Sequence, residues 1–155
     1  MRGRDERGGA ALLGIAAGIR SMTSVAILSW AAARGHVKLP ASTRALDRPL
    51  VTDALALAAL GEYAVDKLPF TPPRTMLPSW AFRTAVGAGS GYVLARAGKG
   101  NARQGAVIGG FAAAVSNYAS FRVREALIGL GLPSELAGSL GDAAAVLLSL
   151  RAVRR

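Results

Sequence analysis

Long stretches with almost no charge alternate along the chain with short stretches crowded with basic residues and proline. The first apolar stretch runs from about Gly9 to Ala33 and carries a single charge, Arg20. At a rise of ~1.5 Å per residue it is long enough to cross a hydrocarbon core of about 30 Å. A polar loop containing Pro40, Arg34, Lys38, Arg44 and Arg48 follows. The second stretch, Leu50 to Leu68, is broken by Asp53, Glu62, Asp66 and Lys67, and Pro69, Pro72 and Pro73 end it. The third, Ser79 to Ala97, holds Arg83 and Arg96, whose side chains are expected to snorkel towards headgroups. The fourth, Ala102 to Phe121, is free of charge beyond Arg103. The fifth starts at Ser134, an N-cap residue placed after Pro133, and reaches Leu150 with Glu135 and Asp142 inside it. A soluble bundle would need helices with one charged face, and the first and fourth stretches have none. The pattern predicts an all-α single domain, an integral membrane helical bundle of four to five short Gly/Ala-rich spans. The spans are expected at about 9–33, 50–68, 79–97, 102–121 and 134–150.

Composition alone is less decisive. Apolar residues make up 52% of the 155 residues, aromatic residues only 6%, and mean hydropathy is +0.34. A soluble core needs bulky side chains, whereas small ones let helices approach closely in lipid. The net charge of +10 raises nucleic acid as a partner. The basic residues sit between apolar stretches rather than in a stripe or tail, which is the pattern of membrane loops and anchors, so nucleic acid is not expected. The bilayer is the expected partner, with a homo-oligomer left open. The N-terminal stretch has the charged start of a signal peptide (Arg2, Arg4, Arg7), but the apolar run resumes past Arg20, so a retained first span is expected.

Three stretches repeat one spacing of small residues: Gly14 and Gly18, Gly87 and Gly91, Gly105 and Gly109. Four-residue spacing places each pair on one helix face, where backbones can meet, and predicts glycine-mediated packing. Two longer similarities link the halves of the chain. Gly14 to Ser21 aligns with Gly110 to Asn117, and Leu60-Gly61-Glu62 with Leu140-Gly141-Asp142. With one crossing between the pairs, the second would enter from the opposite side, giving an inverted two-helix repeat of the kind found in transporters.

Arg20, Glu62 and Asp142 each fall near the middle of an apolar stretch. A charge there costs roughly 2.5–3.5 kcal/mol on the insertion scale, so it is expected to face the bundle interior and find a partner. Arg20 and Glu62 lie at matching depth in consecutive antiparallel spans and are expected to pair. Asp142 is then left without a formal partner, near Ser116 and Asn117. These five residues are the candidate substrate- or ion-binding set, with the carboxylates contacting a cation or proton. His36 is a lone loop histidine, and Ser21, Thr23 and Ser24 have no base beside them. Catalytic residues, metal ligands and cofactors are therefore not expected, and the absence of Cys excludes thiolate chemistry.

The run Gly14-Ile15-Ala16-Ala17-Gly18-Ile19-Arg20-Ser21-Met22-Thr23, then Leu28-Ser29-Trp30, resembles the opening of an uncharacterised bacterial membrane-protein family, a domain of unknown function. Gly61-Glu62, Val65-Asp66-Lys67-Leu68-Pro69, Thr71-Pro72 and Arg74-Thr75 resemble its second signature. That family carries an acidic pair in its last span, where this chain has Gly141 ahead of a single Asp142. The resemblance implies a multi-pass protein of the bacterial cytoplasmic membrane and implies no activity. Five crossings would put 7 basic residues on the N-terminal side and 10 on the other, which favours an outside N-terminus. The expected function is a transporter or channel-like protein for a small ion or polar solute. The alternative is a non-transporting scaffold or accessory subunit whose charges only lock packing.

Overall fold

The computed structural model describes residues 3–65 and 77–154. Among the described residues the chain forms α-helices and one short 3-10 helix, with no strand. In order these are α1 (Gly3–Ile19), α2 (Ser21–Ala33), the 3-10 helix (Ala41–Asp47), α3 (Pro49–Val65), α4 (Leu77–Ala97), α5 (Ala102–Gly129) and α6 (Ser134–Val153). The expected end of the second span, with Asp66, Lys67 and the Pro-rich turn, lies outside the described residues.

The expected single span at 9–33 is corrected. The helix breaks at Arg20, whose backbone is extended (φ −143°, ψ 105°), and the chain turns back. Leu13 of α1 and Leu28 and Ala31 of α2 share one buried cluster with Leu94 and Val153. Gly9, near the start of α1, lies against Leu94 and Ala152, while His36, just past α2, lines a cavity with Leu94 and Val153. Both outer ends of α1 and α2 therefore sit at the same end of the bundle, and Arg20 is the tip of a re-entrant hairpin. From that shared end α3 runs inward and α4 returns. The long α5 then runs the full depth, about 42 Å at ~1.5 Å per residue, and α6 returns.

The glycine pairs lie where three helices meet. Gly91 of α4 faces Gly105 and Gly109 of α5, Gly87 faces Gly109 and Ala113, and Gly14 of α1 sits on Gly109 and Ala112. A Cβ on Gly105 would come within 2.5 Å of the Gly91 carbonyl oxygen. Real side chains do not tolerate that distance from backbone, which has no rotamer with which to give way. A Cβ on Gly109 would meet the Gly87 carbonyl oxygen closer still, so Gly109→Val should push α5 off α4, an overpacking cost of about 1–3 kcal/mol. A fall in melting temperature and in monodisperse yield from detergent checks this, with the open Gly129→Ala as the neutral comparison.

Directions along the bundle also correct the repeat. α1 and α5 run side by side in the same direction, with Gly14 beside Gly109 and Gly18 beside Ser116, whereas α3 and α6 run oppositely. No single inversion relates both aligned pairs, so the similarity of Gly14–Ser21 to Gly110–Asn117 reflects two small-residue helix faces packed on each other.

Candidate functional site

The break at Arg20 leaves two helix ends inside the bundle, each with backbone groups that have no intrahelical partner. Neither Gly nor Pro stands at residue 20 to impose the turn, and the free groups are met from elsewhere in the chain. At the start of α2, the Glu62 carboxylate of α3 accepts hydrogen bonds from Ser21 N (3.2 Å), Ser21 Oγ (2.9 Å) and Met22 N (2.8 Å). An anion at a helix N-terminus meets both unpaired N–H groups and the positive end of the macrodipole. At the end of α1, Arg83 of α4 donates from Nη1 to the carbonyl oxygens of Ile19 (2.8 Å) and Gly18 (3.4 Å). Ser116 Oγ of α5 donates to the Ile15 carbonyl oxygen at 3.0 Å. Gly18 permits this approach, because any Cβ there would collide with Ser116 Oγ and the Ala113 carbonyl.

The charges close on each other. Arg83 Nη2 reaches Glu62 Oε1 at 3.1 Å, and Arg20 Nε donates to Asp142 Oδ1. Arg20 also points Nη1 at the Glu62 carbonyl oxygen (3.5 Å) and lies over the Tyr63 ring, 5.6 Å from its centre. Arg20 and Arg83 are buried, Glu62 nearly so, and Asp142 is the most open of the four at 21% side-chain exposure. Among the described residues two arginines and two carboxylates gather here, so each buried charge has an opposite one within reach.

The pairing differs from the sequence-based expectation. Arg20 takes Asp142 as its carboxylate partner among the described residues and meets Glu62 at a backbone oxygen. Asp142, expected to lack a partner, has one. Glu62 is taken by Arg83, which the pattern of charges assigned to the interface and which is 5% exposed. The sequence carried no sign of this: in a span starting at Ser79, Arg83 lies only about 6 Å in, within reach of an interface for a long side chain. Ser116 and Asn117 are buried against Gly18 of α1, and Ser116 bonds to backbone rather than to Asp142. Among the described residues no three His, Asp or Glu side chains gather as a metal site. Charge-assisted hydrogen bonds and a buried helix N-terminus capped by Glu62 are what this centre offers.

A family model with the description Domain of unknown function (DUF4126) matches residues 9–154. No curated protein and no solved structure matches the chain.

Proposed function

The chain belongs to the DUF4126 family, and we propose that it is a multi-span membrane protein that carries a small ion or polar solute past the hairpin tip at Arg20. The observation that carries this reading is the broken first helix, whose two half-helix ends meet buried charged side chains at one depth. Discontinuous helices of this kind form the solute sites of many secondary transporters, and irregular backbone at membrane depth is tolerated only inside protein or beside a water-filled cavity.

The distribution of side-chain size supports a lipid setting. The fully buried side chains are Leu13, Leu28 and Leu94 and otherwise small ones, Ser24, Ser29 and Ser149 among them. The large ones point outward: Phe111 is 72% exposed, Val107 70%, and Leu57, Leu147 and Tyr118 are similar. Water would penalise such a surface heavily, and acyl chains would not. α6 is long and apolar enough to cross a bilayer by itself.

The hairpin also changes the expected orientation. It brings α1's outer end, the loop after α2, the α4–α5 connection and α6's last turn to one end of the bundle. Arg7, Arg34, Lys38, Arg44 and Arg48 lie at that end, with Arg96, Lys99, Arg103, Arg151 and Arg154. Only Arg122 and Arg124 lie at the other among the described residues. The positive-inside rule then places that basic end in the cytoplasm. Since the chain has no Cys, single cysteines report the orientation cleanly. Ala41→Cys should resist a membrane-impermeant maleimide in intact cells and react in inverted vesicles, and Leu130→Cys should do the reverse.

Flux is the direct test. In proteoliposomes, Glu62→Gln and Asp142→Asn should each cut solute uptake at least tenfold while the proteins still purify as folded species. A second reading has its own support: the four charges satisfy one another and the hairpin's backbone, as a fixed clasp in a scaffold protein would. Equal flux in wild type and both variants, with stability alone altered, would leave only that clasp.

A further inference from the structure

We propose that the solute recognised at the hairpin tip is a small carboxylate, and that Glu62 occupies in this structure the place its carboxylate group takes. The inference rests on the transport reading and names its substrate class. The donors to Glu62 belong to elements other than its own helix: Ser21 N, Ser21 Oγ and Met22 N from the first turn of α2, and Arg83 Nη2 from α4. They form a two-oxygen cradle, with three donors on Oε1 and one on Oε2, the shape of a planar carboxylate. Arg83 has spare capacity as well, because its Nε is buried with no hydrogen-bond partner among the described residues.

The helix that supplies Glu62 is the least embedded of those around the tip. α3 leans on α2, its Leu57 and Leu60 are 68% and 65% exposed, and no described residue stands within 4 Å of where a Cβ on Gly61 would be. Among the described residues, withdrawal of α3 would break its packing on α2 and its contacts with Arg20 and Arg83, while the groups of the cradle stay in place on the hairpin and α4. The charge balance then selects the occupant. Without Glu62, the buried Arg83 has no carboxylate partner among the described residues, and the N-terminus of α2 adds partial positive charge. An anion restores neutrality at that point and a cation worsens the imbalance, so the centre suits an anion. This replaces the expectation that the carboxylates contact a cation.

The test is a melting-temperature titration of the detergent-purified full chain with sodium acetate, against sodium chloride, sodium phosphate and potassium chloride at equal ionic strength. Acetate should stabilise wild type saturably beyond chloride. In Glu62→Ala, where the internal competitor is gone, half-saturation should fall at least tenfold. The added change Arg83→Gln should abolish the effect. Glu62→Ser, whose short side chain also vacates the cradle, carries the same comparison if the alanine variant does not purify. No saturable acetate effect in wild type overturns the proposal, whatever Glu62→Ala does, because filling an artificial void is not recognition. Stabilisation by phosphate or potassium without acetate overturns it too. Acetate binding without acetate uptake in proteoliposomes keeps the site and removes the transport reading. Uptake of a cation without acetate binding does the opposite.

Discussion

Arg83→Gln should destabilise the folded protein by about 3–5 kcal/mol, the range seen when one member of a buried ion pair is removed. Three losses coincide. Glu62 keeps only the hydrogen bonds from Ser21 and Met22, the Ile19 and Gly18 carbonyls lose their donor, and a carboxylate stays buried without its countercharge. The measurement is equilibrium unfolding in mixed micelles, with the exposed Arg96→Gln as control, for which a change within about 0.5 kcal/mol is expected. Glu62→Gln in addition should recover part of the loss, since it removes the stranded charge and leaves an amide that still accepts at the α2 N-terminus. A double variant no more stable than Arg83→Gln alone would mean that Arg83 acts only by capping α1.

The second large effect belongs to Arg20 and Asp142. Asp142→Asn leaves the Arg20 guanidinium buried with a neutral partner, and Arg20→Gln leaves Asp142 facing a neutral amide. Because Asp142 is partly open, water screens its side of the pair, and the expected loss is about half that of Arg83→Gln. In a double-mutant cycle the two should couple by about 1–3 kcal/mol, as groups in direct contact do. Cycling Arg20 against Asp53 instead should give coupling near zero, since Asp53 lies exposed near the start of α3. Coupling of similar size in both cycles would mean that Arg20 acts through the hairpin backbone and not through its carboxylate partner.

These two pairs mark the boundary of what a linear reading can reach. Helix content was legible, because apolar runs without turn residues have few other folds, and the bounds of α4 and α6 fall within a few residues of expectation. α5 extends further, to Gly129, since Arg122, Arg124 and Glu125 are compatible with an exposed helix end. The glycine spacing was legible for the same reason: residues four apart share a face whatever they pack on. That Arg20, Glu62 and Asp142 need interior partners followed from the cost of charge in an apolar run.

Tertiary structure alone decided who pairs with whom and where the chain turns. Nothing local bends the chain at residue 20. The break exists because Glu62, some 41 residues on, meets the N–H groups of α2 while Arg83 and Ser116 meet the carbonyls of α1. Arg20 finds its carboxylate 122 residues away. Periodicity and composition report which residues must be buried and which faces are small, since those depend on each residue and its near neighbours. A fold-back held by distant side chains depends on the arrangement of every helix around it. With it go the shared basic end, the swapped ion pairs and the role of Arg83, because hydrogen bonds between distant segments leave no period in the sequence.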